Sequence, residues 1–138
     1  MKKAPNGLRV VCAGTFDHLH PGHIDFLNQA KAQGDELVVI VARDKNVLKI
    51  KGIRPDDDEE KRKLNVERTG VPDSVVLGYP DTDIFLILLE LAPDIIALGY
   101  DQRVDEESIK ARLPGCIVIR MHPFQPERFK SSFYRTTK

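Results

Sequence analysis

Five short apolar runs, separated by stretches with helical spacing, set the strongest limit on how this chain of 138 residues can fold. The run Glu36–Ala42 is almost wholly apolar between polar ends, which is typical of a parallel strand covered on both faces. Further strands are predicted at Leu8–Ala13, Ser74–Leu77, Ile95–Leu98 and Cys116–Ile119. Because helix-like stretches separate these runs, the sequence predicts an α/β fold with a parallel sheet and right-handed crossovers.

The stretches between the runs carry start and stop signals for helices. Pro21 suits a first helical position, and Gly34 is a natural stop. The predicted helices are Pro21–Gln33, a helix capped by Asp57 or Asp58 that runs to about Arg68, Asp81–Leu91 and Asp105–Leu113. In such folds ligands bind at the carboxyl ends of the strands, so functional residues are expected in the loops that follow the strands.

Charge is balanced over the whole chain but uneven along it. The 21 basic residues match 21 acidic residues, which argues against a uniformly basic nucleic-acid binder. Arg43–Arg54 and Arg120–Lys138 each hold five basic residues and one acid. In contrast, Pro80–Glu107 holds eight acids and one arginine. Two basic segments that are distant in sequence can therefore converge on one small anion.

The apolar runs also exclude a membrane protein, since they fall far short of the roughly 18 residues that suggest a span. The polar start, Met1–Gly7, lacks the apolar core of a secretion signal. We therefore expect a cytoplasmic protein without a membrane partner. Two cysteines are too few for a disulfide framework, so Cys12 and Cys116 are expected to be buried free thiols.

The loop after the first strand carries the residues that we expect to perform chemistry. His20 and His23 flank Gly22 at the start of the first predicted helix. Two imidazoles beside unpaired helix-end amides can stabilise charge on phosphate oxygens, and Gly22 lets a nucleotide approach the backbone. A zinc site with Asp17 as a third ligand is one alternative, and histidines with a purely structural role are another.

The sequence Gly14-Thr-Phe-Asp-x-x-His20-x-Gly-His23 after a strand resembles the HxGH signature of the nucleotidyltransferase superfamily, in its cytidylyltransferase-like branch. The resemblance implies a Rossmann-like, doubly wound sheet of five parallel strands in the order 3-2-1-4-5, in a single domain over residues 1–138. It also implies transfer of a nucleotidyl group from a nucleoside triphosphate to a phosphate acceptor, by direct in-line attack, with release of pyrophosphate.

The resemblance further implies a role for each matching residue. His20, His23 and Lys45 are assigned to catalysis, and Asp17 to acceptor binding. The nucleotide-binding residues are assigned as Gly14, Thr15, Phe16, His20, His23, Lys49, Gly99, Asp101, Lys130, Ser131, Ser132 and Arg135, with Lys51, Thr136 and Thr137 as further candidates. The Glu59–Arg62 segment resembles a helix that orders the edge of the active site. No metal site is assigned to side chains, but a divalent cation, Mg²⁺ or similar, is expected on the triphosphate.

Within the superfamily, the segments Val41–Asp44, Gly78–Pro80 and Pro93–Gln102 most resemble archaeal FAD synthases, which adenylate FMN. This resemblance implies ATP and FMN as substrates and a homodimer as the assembly. CTP with an alcohol phosphate such as glycerol 3-phosphate is the alternative within the same reaction class.

Two alternatives from other classes stay open. One is a non-catalytic module that binds a nucleotide or a flavin. The other is an RNA-linked role, because aminoacyl-tRNA synthetases share the HxGH signature, although this chain has no net basic charge to hold tRNA.

Overall fold

The computed structural model describes residues 7–80 and 84–124. Strands and helices alternate along the chain in the order β1 (Arg9–Gly14), α1 (Pro21–Lys31), β2 (Glu36–Val41), α2 (Asp44–Lys51), α3 (Glu59–Arg68), β3 (Ser74–Leu77), α4 (Ile84–Leu91), β4 (Ile95–Leu98), α5 (Glu106–Arg112) and β5 (Ile117–Arg120). The five strands form one sheet with the order β3-β2-β1-β4-β5, and every pair of neighbours is parallel. The α/β class and the predicted strand order are therefore confirmed.

The structure contains one helix that the sequence analysis did not predict. Helix α2 buries only Val47, and its other apolar residues, Leu48 and Ile50, are exposed. With one buried residue and several lysines, the segment lacks the apolar stripe by which helices are recognised in a sequence. Gly52, which ends the helix with a φ of +81°, is the signal that could have revealed it.

Most element boundaries agree with the predictions to within two or three residues. Helix α1 ends at Lys31 rather than Gln33, and β1 and β5 each start and end one residue later than predicted. The helix predicted from Asp81 is described from Ile84, since residues 81–83 lie outside the described ranges. Asp58 proves to be the cap of α3, where its side chain accepts a hydrogen bond from the Lys61 amide.

The two faces of the sheet are covered by different helices. Val10 of β1 packs in one core cluster with Leu27 of α1, whereas Val11 packs in a second cluster with Leu88 of α4. Alternate residues of a strand point to opposite faces, so α1 and α4 lie on opposite sides of the sheet. The carboxyl end of β1 is thus bordered by α1 on one face of the sheet and by α4 on the other.

Both cysteines are free, as predicted, but their environments differ. Cys12 is buried, and burial raises the pKa of its thiol to about 12, which makes it unreactive at neutral pH. Cys116 is only half-buried, contrary to the prediction of full burial, because it precedes the exposed edge strand β5. Among the described helices, none has the length and apolar content needed to cross a membrane.

Candidate functional site

The N-terminus of α1 is capped by its own two histidines. His20 Nδ1 accepts a hydrogen bond from the Gly22 amide at 3.1 Å. In return, the His20 amide donates to His23 Nδ1 at 3.2 Å, which completes a reciprocal capping box. The two imidazole rings stack with their centroids 3.9 Å apart. The predicted pair is therefore brought together at a helix end whose dipole favours anions. The amides expected to be unpaired there are satisfied, however, since Gly22 donates to His20 Nδ1 and the amides of His23 and Ile24 donate to the His20 carbonyl.

These hydrogen bonds also fix which ring nitrogen carries a proton. Burial, reinforced by the nearby His20, lowers the pKa of His23 to about 4, so that His23 is neutral at pH 7. Because Nδ1 accepts a hydrogen bond in both rings, the ring proton of neutral His23 is on Nε2, and Nε2 is also the protonated nitrogen of His20 in this geometry. Each ring consequently has an Nε2–H group available as a donor to a phosphate oxygen.

The loop between β1 and α1 bends sharply to place this pair. Phe16 and His18 have φ values of 57° and 51°, which non-glycine residues adopt rarely. The Phe16 ring is buried and packs edge-on against His23, with centroids 5.6 Å apart. At Gly22 an added Cβ would lie 2.9 Å from His20 Cε1, so a larger residue there would displace the His20 ring.

The loop is held in place by Arg62, whose side chain is fully buried. Its Nη1 donates to the Thr15 carbonyl at 2.8 Å and its Nη2 to Asp44 Oδ1 at 2.6 Å. Its Nε donates to the Asp57 carbonyl at 3.0 Å. One guanidinium therefore joins the histidine loop to the starts of α2 and α3, which agrees with the ordering role implied for the Glu59–Arg62 segment.

Glu59 completes this cluster. Its Oε1 accepts from the Asp44 amide at 2.8 Å, and its Oε2 accepts from Arg43 Nη1 at 3.1 Å. Arg43 Nε in turn donates to the Gly78 carbonyl at 2.6 Å. The carboxyl ends of β1, β2 and β3 are thus linked by buried and half-buried charges.

Asp17, which was assigned to acceptor binding, makes contacts that tether the loop. Its carboxylate accepts hydrogen bonds from the amides of Asp56 and Asp57 at 2.8 and 3.0 Å. Burial favours a higher pKa for Asp17, but these hydrogen bonds outweigh it and leave the pKa below its usual value. Contact with an acceptor remains a prediction for this residue.

Asp17, His18 and Asp56 form a group that could hold a metal, because each offers one ligand atom and these atoms lie within 4.8 Å of one another. His18 Nε2 lies 2.5 Å from Asp56 Oδ2 in a hydrogen bond, which raises the pKa of His18. Two of the three candidate ligands are therefore hydrogen-bonded to each other.

Among the basic residues of α2, Lys51 lies against the loop. Its Nζ donates to Thr15 Oγ1 at 3.4 Å. Lys45 and Lys49, which the sequence analysis favoured, lie on the same helix with exposed side chains. Because helix α2 was not predicted, the lysine that faces the loop could not be identified from the sequence. The roles of Lys45 and Lys49 remain predictions.

The segment after β4 forms a turn that is closed by two side chains. Gln102 accepts from the Gly99 amide at 3.1 Å and donates to the Ala13 carbonyl at 3.3 Å. Arg120 Nη1 donates to the carbonyls of Gly99 and Gln102, both at 2.8 Å. Asp101 is exposed in this turn. The positioning roles of Gln102 and Arg120 were not predicted, although Gln102 stands within the matching segment.

The remaining predicted residues fall outside the described ranges. They are Lys130, Ser131, Ser132, Arg135 and the candidates Thr136 and Thr137. Their assignment to triphosphate binding therefore stays a prediction.

A parallel sheet in the order 3-2-1-4-5, with two stacked histidines capping the helix after its central strand, defines a Rossmann-like nucleotidyltransferase. The family model for cytidylyltransferase-like proteins matches residues 11–138. The chain belongs to the cytidylyltransferase-like family.

The chain is also similar to proteins named FAD synthase. The chain is 53% identical over 107 residues to the FAD synthase of Archaeoglobus profundus, a match that covers 77% of this chain and 66%, just under two thirds, of that protein. It is 45% identical over 135 residues to the FAD synthase of Thermococcus sibiricus, which covers 95% of this chain and 88% of that protein.

A solved structure also resembles the chain closely. The lipopolysaccharide core biosynthesis protein from Thermoplasma volcanium matches with a TM-score of 0.80 and 36% identity. The match covers 86% of this chain and 99% of that one.

Replacing Arg62 by Met should lower the free energy of unfolding by about 2–4 kcal/mol, because Asp44 and two carbonyls lose their donor. The effect falls below the full cost of a broken buried pair because Asp44 is 21% exposed and keeps some hydration. Urea denaturation measures this change. Arg68→Ala, on the exposed side of the same helix, is the control and should change stability by less than about 0.5 kcal/mol. Equal stabilities for the two variants would contradict the central role of Arg62.

His23 should titrate in NMR with a midpoint near 4, far below the ordinary value of 6.5. Because the unfolded chain then binds the proton at higher pH than the folded chain, the contribution of His23 to stability is complete above pH 6.5 and is lost as the pH falls toward 4. His23→Gln should weaken this acid-side loss of stability. A midpoint near 6.5 in the folded protein would contradict the burial of the ring.

Proposed function

We propose that this protein transfers AMP from ATP to FMN, giving FAD and pyrophosphate. The observation that carries the proposal is the stacked pair of His20 and His23, which caps α1 reciprocally and offers two Nε2–H donors at the positive end of the helix dipole. Identities of 53% and 45% to two FAD synthases support FMN and ATP as the substrates.

The reaction needs little more than positioning and charge stabilisation. An oxygen of the FMN phosphate attacks the α-phosphorus of ATP, and the bond from that phosphorus to the β-phosphate oxygen breaks to release pyrophosphate. The Nε2–H groups of His20 and His23 donate to the phosphate oxygens as charge builds up on them. Since a phosphate monoester is already an anion at neutral pH, no strong general base is required.

Other parts of the loop and its neighbours hold the substrates in our proposal. Amides of Gly14, Thr15 and Phe16 donate to phosphate oxygens. Lys45, Lys49 and Lys51 supply positive charge for the β- and γ-phosphates. The carboxy-terminal residues Lys130, Ser131, Ser132 and Arg135 act with these lysines, and Gly99 and Asp101 contact the nucleoside. The divalent cation enters bound to the nucleotide, as part of the substrate.

We further propose a homodimer in the cytoplasm, with residues 1–138 as one nucleotidyltransferase domain. The alternative with CTP and glycerol 3-phosphate keeps the same chemistry, but the names of the relatives do not favour it. Incubation with ATP and FMN, and separately with CTP and glycerol 3-phosphate, followed by mass spectrometry of the products, tests the choice. FAD in the first mixture supports the proposal, whereas CDP-glycerol alone contradicts it.

Replacing either His20 or His23 by Ala should lower kcat by a factor that corresponds to about 2–4 kcal/mol of barrier, or roughly 30- to 1000-fold. Steady-state release of pyrophosphate measures the change, and circular dichroism confirms that each variant is folded. His122→Ala, an exposed histidine outside the loop, is the matched control and should keep the wild-type rate. Wild-type rates in both loop variants would exclude the histidine pair from catalysis.

A further inference from the structure

A cleft of about 150 Å³ opens at the carboxyl ends of β1, β2 and β3, between helices α2 and α4. Its lining includes Ala13, Gly14, Asn46, Ile50, Tyr79 and Ile84. Ile87, which also lines the cleft, belongs to the core cluster on the α4 face of the sheet. The cleft therefore lies on the face opposite α1 and meets the histidine loop at Gly14.

The mouth of this cleft keeps apolar side chains in contact with water. Ile50 is 77% exposed and Ile84 is 44% exposed. No Lys, Arg, Asp or Glu is among the described residues that line the cleft. Apolar surface beside a polar site is typical of a place where a ligand buries it.

We propose that this cleft binds the isoalloxazine ring of the acceptor FMN, a proposal that rests on the function proposed above. The ring is flat and largely apolar, and it carries one imide N–H. Asn46 Nδ2 donates to the Tyr79 carbonyl at 2.9 Å, so Asn46 Oδ1 is the atom that can accept from this imide. Glycerol 3-phosphate has no ring to bury and gains nothing from such a cleft.

A positive charge, that of Lys51, lies between this cleft and the histidine loop, where the FMN phosphate is expected. Lys51 follows Ile50 on α2, and its Nζ is 3.4 Å from Thr15 Oγ1 in the histidine loop. The phosphate of FMN is joined to the ring by a flexible ribityl chain, so a ring beside Ile50 leaves the phosphate free to reach Lys51 and the histidine loop, which borders the cleft at Gly14. The acceptor approaches from the α4 face, while the histidines hold the nucleotide at the start of α1.

A second cavity on the same face is larger but carries the wrong charge. It measures about 300 Å³, lies between α4 and α5, and shares Ile84 with the cleft. Asp105 is part of its lining, and Glu106 and Glu107 follow in the first turn of α5. Glu106 is paired with Arg120 at 2.7 Å, but no Lys or Arg is among the described residues that line this cavity. Lys51 adjoins the smaller cleft, which is therefore the better site for a ligand that carries a phosphate.

The test compares two exposed isoleucines that are three residues apart. Ile50→Asp puts a charge into the cleft, whereas Ile53→Asp puts the same charge at a residue that is 70% exposed and absent from the lining. We expect Ile50→Asp to raise the KM for FMN by about tenfold or more. The KM for ATP should stay within about twofold in both variants, and Ile53→Asp should leave the KM for FMN unchanged.

Each other outcome has a distinct meaning. If the wild-type protein forms FAD but Ile50→Asp has the wild-type KM for FMN, the cleft proposal is wrong and the proposed function stands. A raised KM for FMN in Val104→Asp, at the second cavity, together with an unchanged value in Ile50→Asp, would move the ring to that cavity and overturn the proposal. A wild-type protein that forms no FAD overturns both the function and the cleft.

Discussion

The buried guanidinium of Arg62 is the interaction on which the site depends. It bonds to the Thr15 carbonyl of the histidine loop, to the Asp44 carboxylate at the start of α2 and to the Asp57 carbonyl just before α3. Of these segments, α2 has little apolar packing of its own, since it buries only Val47. The cluster fixes the loop well enough for Phe16 and His18 to keep positive φ values, which are costly unless the surroundings impose them.

The sheet supplies the second constraint, because it separates the histidine pair from the apolar cleft. Helix α1 and its histidines lie on one face of β1, and the apolar cleft beside Ile50 lies on the other. The cleft reaches the tip of β1 at Ala13 and Gly14, and the histidine loop begins directly after this tip. In our account a nucleotide and an acceptor that enter from opposite faces meet over this strand end, which suits an attack opposite to the leaving pyrophosphate.

The sequence was sufficient to predict features that depend on local pattern. Apolar runs located all five strands, and the spacing of His20 and His23 around Gly22 predicted a shared site at a helix start. The strand order followed from the resemblance to a known superfamily. Features that depend on contacts distant in sequence were not predictable in this way.

Arg62 shows why. In a helix rich in charged residues an arginine is normally solvated. The burial of Arg62 depends on partners distant in sequence, namely Asp44 and Thr15, of which Thr15 is 47 residues away. Gln102 and Arg120 close their turn through contacts with Ala13 and Gly99 that likewise span distant segments. Helix α2 turns Lys51 toward the loop, but α2 buries too few residues to be predicted from the sequence.

The central claim is that the site works by positioning two substrates for a single direct displacement. The stereochemistry of the reaction tests it most directly: the protein is given FMN and ATP with a chiral thiophosphate at the α-position, and the configuration of the resulting FAD analogue is determined. One in-line attack by the FMN phosphate predicts inversion at the α-phosphorus. Retention would require two successive displacements through a covalent intermediate and would contradict the account.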